Sequence, residues 1–583
     1  MIMKKIIYKQ LLLLIVSIIF TFCFLFYYLP IRNVHLLIII FVSFLFLSIL
    51  NRIIKVTNYF KLLPLPKKFF SILFLTIFPV ILMVSSKGSQ EHLKDNNLLT
   101  IITTYFGTYL AILCILIWII SILLSIPSVS GERRVTKKKI FIYAMPSILV
   151  WFFYWIAFFP GGMTPDSLAQ WEQAHTGELN NWHPVVYTWF IMLLTHIWDN
   201  PAIVTLSQIF IISLIIGYLS YLMEKYNYPK WMIWGISIIF ALSPINSIYS
   251  IIIWKDVLYS SFLFLFSIFV LNIVRSQGEW LNHKSNIVIF IFGSLAVVFF
   301  RHNGFPVFIA SIVVISIFYR NEIKKLLSIL IFVTFVYLIV TKPIFNYLGV
   351  KPSDPNEALS IPTQQIATII SEDGYITDEQ REYLNSIFPI ELWKERFNPY
   401  KTDPIKFSWG EYNREIIFKD PKKYFKIWFE VCLQNPQLAL KGFLKQTSLV
   451  WQINEPDDGY TDTFVTNVYY GNKFGIENKV INGKITWVAN YILNISKDLS
   501  DVLWRPANYT YSILLLAFIT YLKSDFRTFL IILPLVLNTG AVMLALPAQD
   551  FRYLFANTLV FYLSFITCFI SFPKRGENYE KDD

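Results

Sequence analysis

Long apolar runs separated by short polar stretches recur from one end of the chain to the other. Most of these runs hold about 20 residues, the length that an α-helix needs to cross the hydrocarbon core of a bilayer. The pattern therefore predicts an all-α polytopic membrane protein, a bundle of about 13–15 transmembrane helices. The predicted spans are 6–29, 34–50, 69–86, 99–126, 138–159, 184–198, 201–223, 229–247, 256–275, 285–300, 304–319, 326–346, 510–522, 527–546 and 552–572.

Composition supports this class of protein and excludes others. Of the 583 residues, 55% are hydrophobic and only 15% are charged, whereas a soluble protein of this length would carry far more charge. A soluble enzyme, a secreted disulfide scaffold and a disordered chain are therefore excluded. The cysteines show neither metal-binding nor redox spacing; they are Cys23, Cys114, Cys432 and Cys568.

Basic residues indicate which loops face the cytoplasm. A net charge of +12 would suggest a nucleic-acid partner for a soluble protein, but here Lys and Arg cluster in short loops between apolar runs. We therefore expect no nucleic-acid partner. We place the N-terminus and the loops 51–68 and 127–139 on the cytoplasmic side of a plasma membrane. The segment 160–183 has no Lys or Arg and is placed outside. The first apolar run is expected to remain as a transmembrane helix rather than to be cleaved off as a signal peptide, since no small-residue cleavage site follows it.

The same rule places the long polar stretch 347–509 outside. Seven spans are then predicted between the two outer regions, although an even number is required. Either the short run 184–198 is re-entrant, or two neighbouring runs form one broken helix. The predicted regions are N-terminal transmembrane helices (1–137), a second transmembrane module (138–346) with the outer loop 160–183, a small extracytoplasmic domain (347–509), and C-terminal transmembrane helices with a cytoplasmic tail (510–583).

The stretch 347–509 is predicted to be mostly helical. Apolar residues recur at helical spacing from Tyr424 to Trp451, beside several lysines. Such amphipathic helices either lie against the membrane surface or form an ordinary globular core, and the pattern fits both.

Polar residues at membrane depth are costly, so they mark candidate functional sites. The densest set lies in the outer loop 160–183. Gly161 and Gly162 end one helix, and Thr164 or Asp166 can cap a short new one, which holds Asp166 just above the bilayer. Asp166 is then either only a helix cap or a functional carboxylate.

Three further clusters are predicted on the same face of the membrane. They are Lys255-Asp256, Arg301-His302 and the stretch around Arg552. Each cation by itself could be a snorkelling anchor at a helix end. Acidic and basic residues gathered at one interface favour an anionic headgroup as partner.

These residues resemble a block found in the GT-C superfamily of membrane glycosyltransferases, in a bacterial branch of uncharacterised type. The resemblance covers roughly 140–345 and the final spans. Four predicted spans precede the helix of the acidic loop, whereas many members have one. The block reads here Gly161-Gly162, Asp166-Ser167, Gln170-Trp171, Gln173-Ala174 and Trp182-His183-Pro184.

The resemblance implies a GT-C-like bundle with 138–346 as the catalytic module. Such enzymes take a sugar from a polyprenyl-phosphate carrier and pass it to an acceptor on the outer face. Asp166 matches their acidic outer-loop residue, and we expect it to act as the base for the acceptor hydroxyl. Cations are expected to bind the departing phosphate, namely Lys255, Arg301, His302 and Arg552. Residues expected to orient the substrates are Gln170, His183 and Asp256.

The expected partners are a polyprenyl-phosphate-linked sugar, a cell-envelope acceptor (glycan, lipid or protein) and the bilayer. No nucleotide-binding G-x-G-x-x-G motif is visible, and the resemblance requires none. Some superfamily members bind a divalent cation, so Mg²⁺ or Mn²⁺ at Asp166 stays open. The alternatives are a transporter or flippase for lipid-linked saccharides, an envelope polysaccharide polymerase, and a receptor or scaffold built on 347–509.

Overall fold

The computed structural model describes residues 2–29, 36–86, 93, 96–456 and 463–573. Within these residues the chain forms helices and isolated β-bridges but no β-strand, which confirms the predicted all-α class. Seven of the described helices are long and apolar enough to cross a membrane, as expected for a polytopic membrane protein. The chain divides into two compact units: residues 1–128 with 452–454, and residues 129–451 with 455–583.

The first unit is built from four long helices. They are α1 (Ile2–Tyr28), α2 (Leu36–Leu62), α3 (Leu65–Ser85) and α4 (Leu98–Ser125). Hydroxyl groups between these helices donate to backbone carbonyls, because a polar group that is removed from water is costly without a hydrogen bond. Thr108 donates to the carbonyl of Cys23 at 2.9 Å. Gly107 allows α4 to approach α1 closely, because a Cβ there would lie 2.3 Å from the Cys23 sulfur.

Among the described residues, the second unit begins with eleven α-helices, one of which lies at the centre of the unit. They are α5 (Lys139–Ala157), α6 (Pro165–Thr176), α7 (Val185–Thr195), α8 (Pro201–Lys225), α9 (Lys230–Leu242), α10 (Pro244–Tyr249), α11 (Lys255–Arg275), α12 (Lys284–Phe300), α13 (Gly304–Phe318), α14 (Ile323–Ile339) and α15 (Phe345–Tyr347). The central helix is α11, in which every residue except Lys255 and Leu265 is buried. It packs against α8 and α12.

The length of α7 bears on the odd number of predicted spans. This helix has 11 residues and therefore rises about 16 Å, which is about half of the hydrocarbon thickness. It is too short to cross the membrane. Removing the run 184–198 leaves six predicted spans between the two outer regions, which is the even number that the topology requires.

The polar stretch 347–509 holds mostly short helices. They are α16 (Ser360–Ser371), α17 (Asp378–Ile387), α18 (Ile390–Glu395), α19 (Asp403–Lys406), α20 (Arg414–Lys419), α21 (Pro421–Gln434), α22 (Pro436–Gln446), α23 (Ser448–Trp451), α24 (Gly483–Asp498) and α25 (Ser500–Leu503). One face of α21 joins a hydrophobic core that includes Trp393 and Tyr424. Its other face exposes Phe429 and Leu433. The globular-core interpretation therefore holds for one face of the helix, and contact of the other face with the membrane stays a prediction.

Three helices complete the described chain: α26 (Pro506–Lys523), α27 (Leu533–Ala545) and α28 (Phe555–Thr567). The predicted tail beyond residue 573 lies outside the described residues. At the end of α11, Arg275 donates to the carbonyls of Gly131 and Ser571, at 3.1 and 2.6 Å. The basic loops of the second unit thus meet at this end of α11, and the predicted outer loops meet at its other end, beside Lys255.

Candidate functional site

A cavity of about 580 Å³ lies at the Lys255 end of α11, between the membrane helices and the polar stretch 347–509. Its size is in the range of about 300–1,000 Å³ that small-molecule sites occupy. The lining comes from sequence-distant parts of the chain: Asp166, residues 181–183, Lys255, residues 301–303, parts of 353–358 and 403–407, and parts of 541–553.

The loop before α6 is fixed beside the start of α11 by backbone hydrogen bonds. The Gly162 N–H donates to the carbonyl of Ile251 at 3.0 Å, and the Ile253 N–H donates back to the carbonyl of Gly162 at 3.0 Å. These bonds run two extended segments side by side. As a result, Asp166 in the first turn of α6 faces Lys255 in the first turn of α11.

The carboxylate of Asp166 is not used as the helix cap. The capping box of α6 pairs Thr164 with Ser167, whose hydroxyl accepts from the Thr164 N–H at 3.2 Å. Asp166 Oδ2 instead accepts from Arg552 Nη1 at 2.8 Å. Of the two sequence interpretations, the geometry therefore favours a carboxylate available to a functional site.

Arg552 joins two carboxylates. Its Nη1 contacts Asp166, and its Nε lies 2.8 Å from Asp550 Oδ2. The guanidinium also lies over the Trp254 ring, 4.9 Å from the centroid. Since Arg552 is held on three sides, the position of its charge is fixed before any ligand binds.

A second group of charges surrounds Asp256, which is 1% exposed. Arg301 Nε lies 3.3 Å from one of its oxygens, and Lys255 Nζ lies 3.9 Å from the other. Two cations share this carboxylate, so the group carries net positive charge. Such a wall suits a phosphate, which binds guanidinium and ammonium donors strongly.

His183 connects the two groups. Lys255 Nζ lies 3.0 Å from His183 Nδ1, and His183 Nε2 lies 3.8 Å from Asp166 Oδ1. Because an ammonium can only donate, Nδ1 must be the acceptor and the ring proton must sit on Nε2, towards Asp166. Burial and the Lys255 charge lower the pKa of His183 to about 3, so the ring is neutral at physiological pH.

The neighbouring cations dominate the electrostatics of Asp166. Burial by itself would raise the pKa of its carboxyl, but attraction by the Arg552 and Lys255 charges outweighs burial and lowers that pKa well below its usual range. Burial, followed by the Lys255 charge, lowers the pKa of His302. At neutral pH the cavity therefore holds an ionised Asp166 beside neutral imidazoles and fixed cations.

Most of the candidate site residues named from sequence line this cavity. Two of the candidates do not line it. Asp166, His183, Lys255, Arg301, His302 and Arg552 all line it. Asp256 lies behind Lys255 and Arg301 and holds these cations in place. Gln170 is buried away from the lining, where its amide donates to the Thr188 hydroxyl at 3.3 Å and ties α6 to α7.

The polar stretch 347–509 supplies a wall that the sequence reasoning missed. Lys406 Nζ lies 2.9 Å from a Glu357 oxygen and 3.3 Å from an Asp403 oxygen, and all three residues line the cavity. Burial raises the pKa of Asp403 despite the Lys406 charge. Local patterns carry no signal for this wall, because it depends on packing between segments hundreds of residues apart.

Another part of the lining is apolar and comes from α27 and the residue that follows it. Ala541, Val542, Ala545 and Leu546 line the cavity there. Beside them, Leu544 is 70% exposed on the outer surface of the same helix. The cavity thus combines an ionic wall with a wall of small and aliphatic side chains, which suits a ligand with both a charged and a lipid-like part.

The donor set does not fit a divalent cation at Asp166. In the described part of the chain, no group of three or more His, Cys, Asp or Glu side chains is arranged to hold a metal ion. The Asp166 carboxylate is paired with Arg552, and Lys255 lies on the far side of His183. A hard cation needs several oxygen ligands, and here it would meet positive charges instead.

Together these features define a polytopic, all-α membrane protein with an ionic cavity at one end of its helices. The chain belongs to a family of unknown function, DUF6020, whose match spans residues 170–582. That span includes every charged residue of the cavity named above except Asp166, which lies four positions before it. No curated protein and no solved structure matches the chain.

Proposed function

We propose that this protein is an integral membrane glycosyltransferase of the GT-C type. It moves a sugar from a polyprenyl-phosphate carrier to a cell-envelope acceptor on the outer face of the plasma membrane. One observation carries the proposal: Asp166 shares a cavity with Lys255, Arg301 and Arg552 at the predicted outer ends of the helices.

The two walls of the cavity match the two parts of such a donor. The phosphate contacts the net positive group of Lys255 and Arg301, and the polyprenyl chain leaves along the apolar side chains of α27. A carrier embedded in the bilayer can reach this cavity from the side, because the outer surface of α27 is apolar and exposed.

Asp166 is held as a weak base until the donor binds. In the absence of ligand, its pairing with Arg552 keeps the carboxylate ionised and poorly basic. A donor phosphate that contacts Arg552 partly neutralises the positive charge of this arginine. Asp166 is then stabilised less as a carboxylate, and its pKa rises towards the usual value. Base strength is in this way coupled to the presence of the leaving group.

The transfer step balances with these groups alone. The acceptor oxygen forms a bond to the anomeric carbon while the bond from that carbon to the phosphate oxygen breaks. The acceptor proton passes to Asp166, and the polyprenyl phosphate leaves with the bonding electron pair. Lys255, Arg301 and Arg552 stabilise the charge on that phosphate.

The arrangement of charge along α11 argues against the transporter alternative. A transporter for lipid-linked saccharides would be favoured by charged residues near the middle of the membrane. Between Asp256 and Arg275, α11 has no charged residue. Its charges lie at the two ends, which suits chemistry at one membrane face.

The proposal is tested by sugar transfer in membranes that contain the full-length protein. Membranes receive short-chain polyprenyl-phosphate glucose, mannose or N-acetylglucosamine with a radiolabelled sugar, and label in the envelope fraction is counted. Asp166→Asn is expected to lower transfer by about 100-fold or more, because the proton acceptor is lost. Arg301→Lys should lower it too, since an ammonium cannot reproduce the guanidinium contacts.

The matched control is Glu178→Gln, a carboxylate of the same outer loop whose side chain is 79% exposed and paired with Lys351. It should transfer sugar like the wild type. Unchanged transfer by a correctly inserted Asp166→Asn protein would refute the assignment. Long labelled chains would identify a polymerase, and movement of the carrier across the membrane without transfer would identify a flippase.

A further inference from the structure

We propose that the acceptor is a saccharide, bound on a row of three aromatic side chains that leads out of the cavity. The aromatic row consists of Trp182, Phe407 and Trp409. This inference rests on the proposed function, because it assigns the second substrate of the same site.

The rings of the aromatic row follow one another at close spacing. The ring centroids of Trp182 and Phe407 are 6.2 Å apart with an interplanar angle of 20°, and those of Phe407 and Trp409 are 6.0 Å apart at 35°. Trp182 and Phe407 line the cavity. Trp409 is 66% exposed, so the row runs from the ionic cavity to the surface.

Cations on neighbouring residues hold the row in place. Lys406 lies 4.7 Å from the centroid of Phe407, and Arg414 lies 4.0 Å from that of Trp409. Arg414 also donates to the carbonyl of Lys406 at 2.6 Å and pairs with Asp354. The rings are thus fixed before a ligand arrives, which reduces the entropy lost on binding.

The chemistry around the row favours a saccharide over other ligands. A pyranose ring has a flat face of C–H groups, which packs on an aromatic ring, and an edge of hydroxyl groups, which needs hydrogen-bond partners. Asp354, Glu357 and Asp403 line the cavity beside Phe407 and can accept from such hydroxyls.

An alternative explanation for an exposed Trp is anchoring in the lipid headgroups. The position of this row favours the saccharide instead. Phe407 is flanked by Lys406 and Asp403, and the row begins in a cavity that contains ionised groups. An acyl chain lying along these rings would have to cover carboxylates, which is costly.

The test measures binding of soluble oligosaccharides to the full-length protein in lipid nanodiscs. Cellotetraose, mannotetraose and chitotetraose are used as probes, and saturation-transfer NMR reports on contact with the protein. At least one probe is expected to bind at millimolar concentration. Trp409→Ala should weaken that binding at least ten-fold.

The control is Trp487→Ala, which removes a Trp that is 67% exposed on α24, away from the cavity lining. It should bind the probes like the wild type. The proposal is overturned if no probe binds, if both variants bind equally well, or if brominated lipids in the nanodisc quench the Trp fluorescence of the wild type more than that of Trp409→Ala. The last result would identify the row as a membrane anchor.

Sugar transfer measured in parallel separates this inference from the proposed function. If the wild type transfers sugar and Trp409→Ala transfers it equally well, the proposed acceptor site is refuted. The enzyme assignment is not affected by that result. Oligosaccharide binding by a protein that transfers no sugar from any donor overturns the enzyme assignment instead.

Discussion

At the scale of single residues, the paired glycines of the outer loop show how backbone contact fixes the site. A Cβ on Gly162 would lie 2.3 Å from the carbonyl oxygen of Val465, and one on Gly161 would lie 2.6 Å from that of Ile251. Gly161 also has a φ of +124°, which disfavours any side chain. These two positions therefore need glycine. Glycine lets the loop before α6 pair with the segment before α11, and this pairing places Asp166 beside Lys255.

A prediction at this scale concerns His183, whose pKa is about 3 in the folded protein and about 6.5 in an unfolded chain. As the pH falls through 6.5, the unfolded chain binds a proton that the folded protein does not. We therefore expect His183 to lower the free energy of unfolding by up to about 2 kcal/mol when the pH falls from 7.5 to 5. The His183→Asn variant should lack this part of the pH dependence.

The measurement is the thermal unfolding midpoint of the purified protein in detergent at the two pH values. His196→Asn serves as the control, because that imidazole is exposed at the surface. If wild type and His183→Asn lose the same stability on acidification, the neutral, buried state of His183 is wrong.

At the scale of elements, helix length and composition decide which segments can cross the membrane, and the cavity uses the ends of those that do. Lys255 begins α11, Arg301 precedes α13, and Arg552 precedes α28. Because successive membrane helices run in alternating directions, these starts lie on one side. The long apolar runs predicted these elements directly, since such a run is a property of each segment by itself.

A prediction at this scale concerns the apolar wall formed by α27. Ala545→Trp fills the cavity from that wall and should lower transfer from a long-chain polyprenyl donor at least ten-fold. Leu149→Trp is the control, because Leu149 is 64% exposed on α5 and does not line the cavity. Equal transfer by the two variants would show that the carrier does not lie along α27.

At the scale of the whole molecule, the site joins parts of the chain that are far apart in sequence. Charges in the outer loop and at helix starts could be named from sequence, because a polar residue beside an apolar run is visible locally. The wall formed by Lys406, Asp403 and Glu357 could not be named. Its residues lie in a hydrophilic segment where charge is ordinary, and only tertiary packing brings them to Asp166.

The roles of Gln170 and Asp256 show the same limit. Both are polar residues in segments that reach the site, so sequence alone could not separate a side chain on the cavity surface from one behind it. The side of a helix that faces the cavity is set by packing. Gln170 faces α7 and Asp256 faces two cations.

A prediction at this scale tests the sidedness of the membrane. Glu178→Cys should react with a membrane-impermeant maleimide in intact cells, above the background of the four native cysteines. Lys284→Cys, exposed at the start of α12, should react only after the membrane is opened. The opposite labelling pattern would place the cavity in the cytoplasm and exclude an acceptor on the outer face.

The contact between Asp166 and Arg552 joins positions that are 386 residues apart. During biosynthesis, the outer loop emerges from the ribosome long before α28 does. A growing chain therefore carries an unpaired carboxylate and an open chamber until the segment with Arg552 has been made. Termination of the chain before Arg552 should yield an inert protein rather than a partly working one, because the arginine that completes the chamber is then missing.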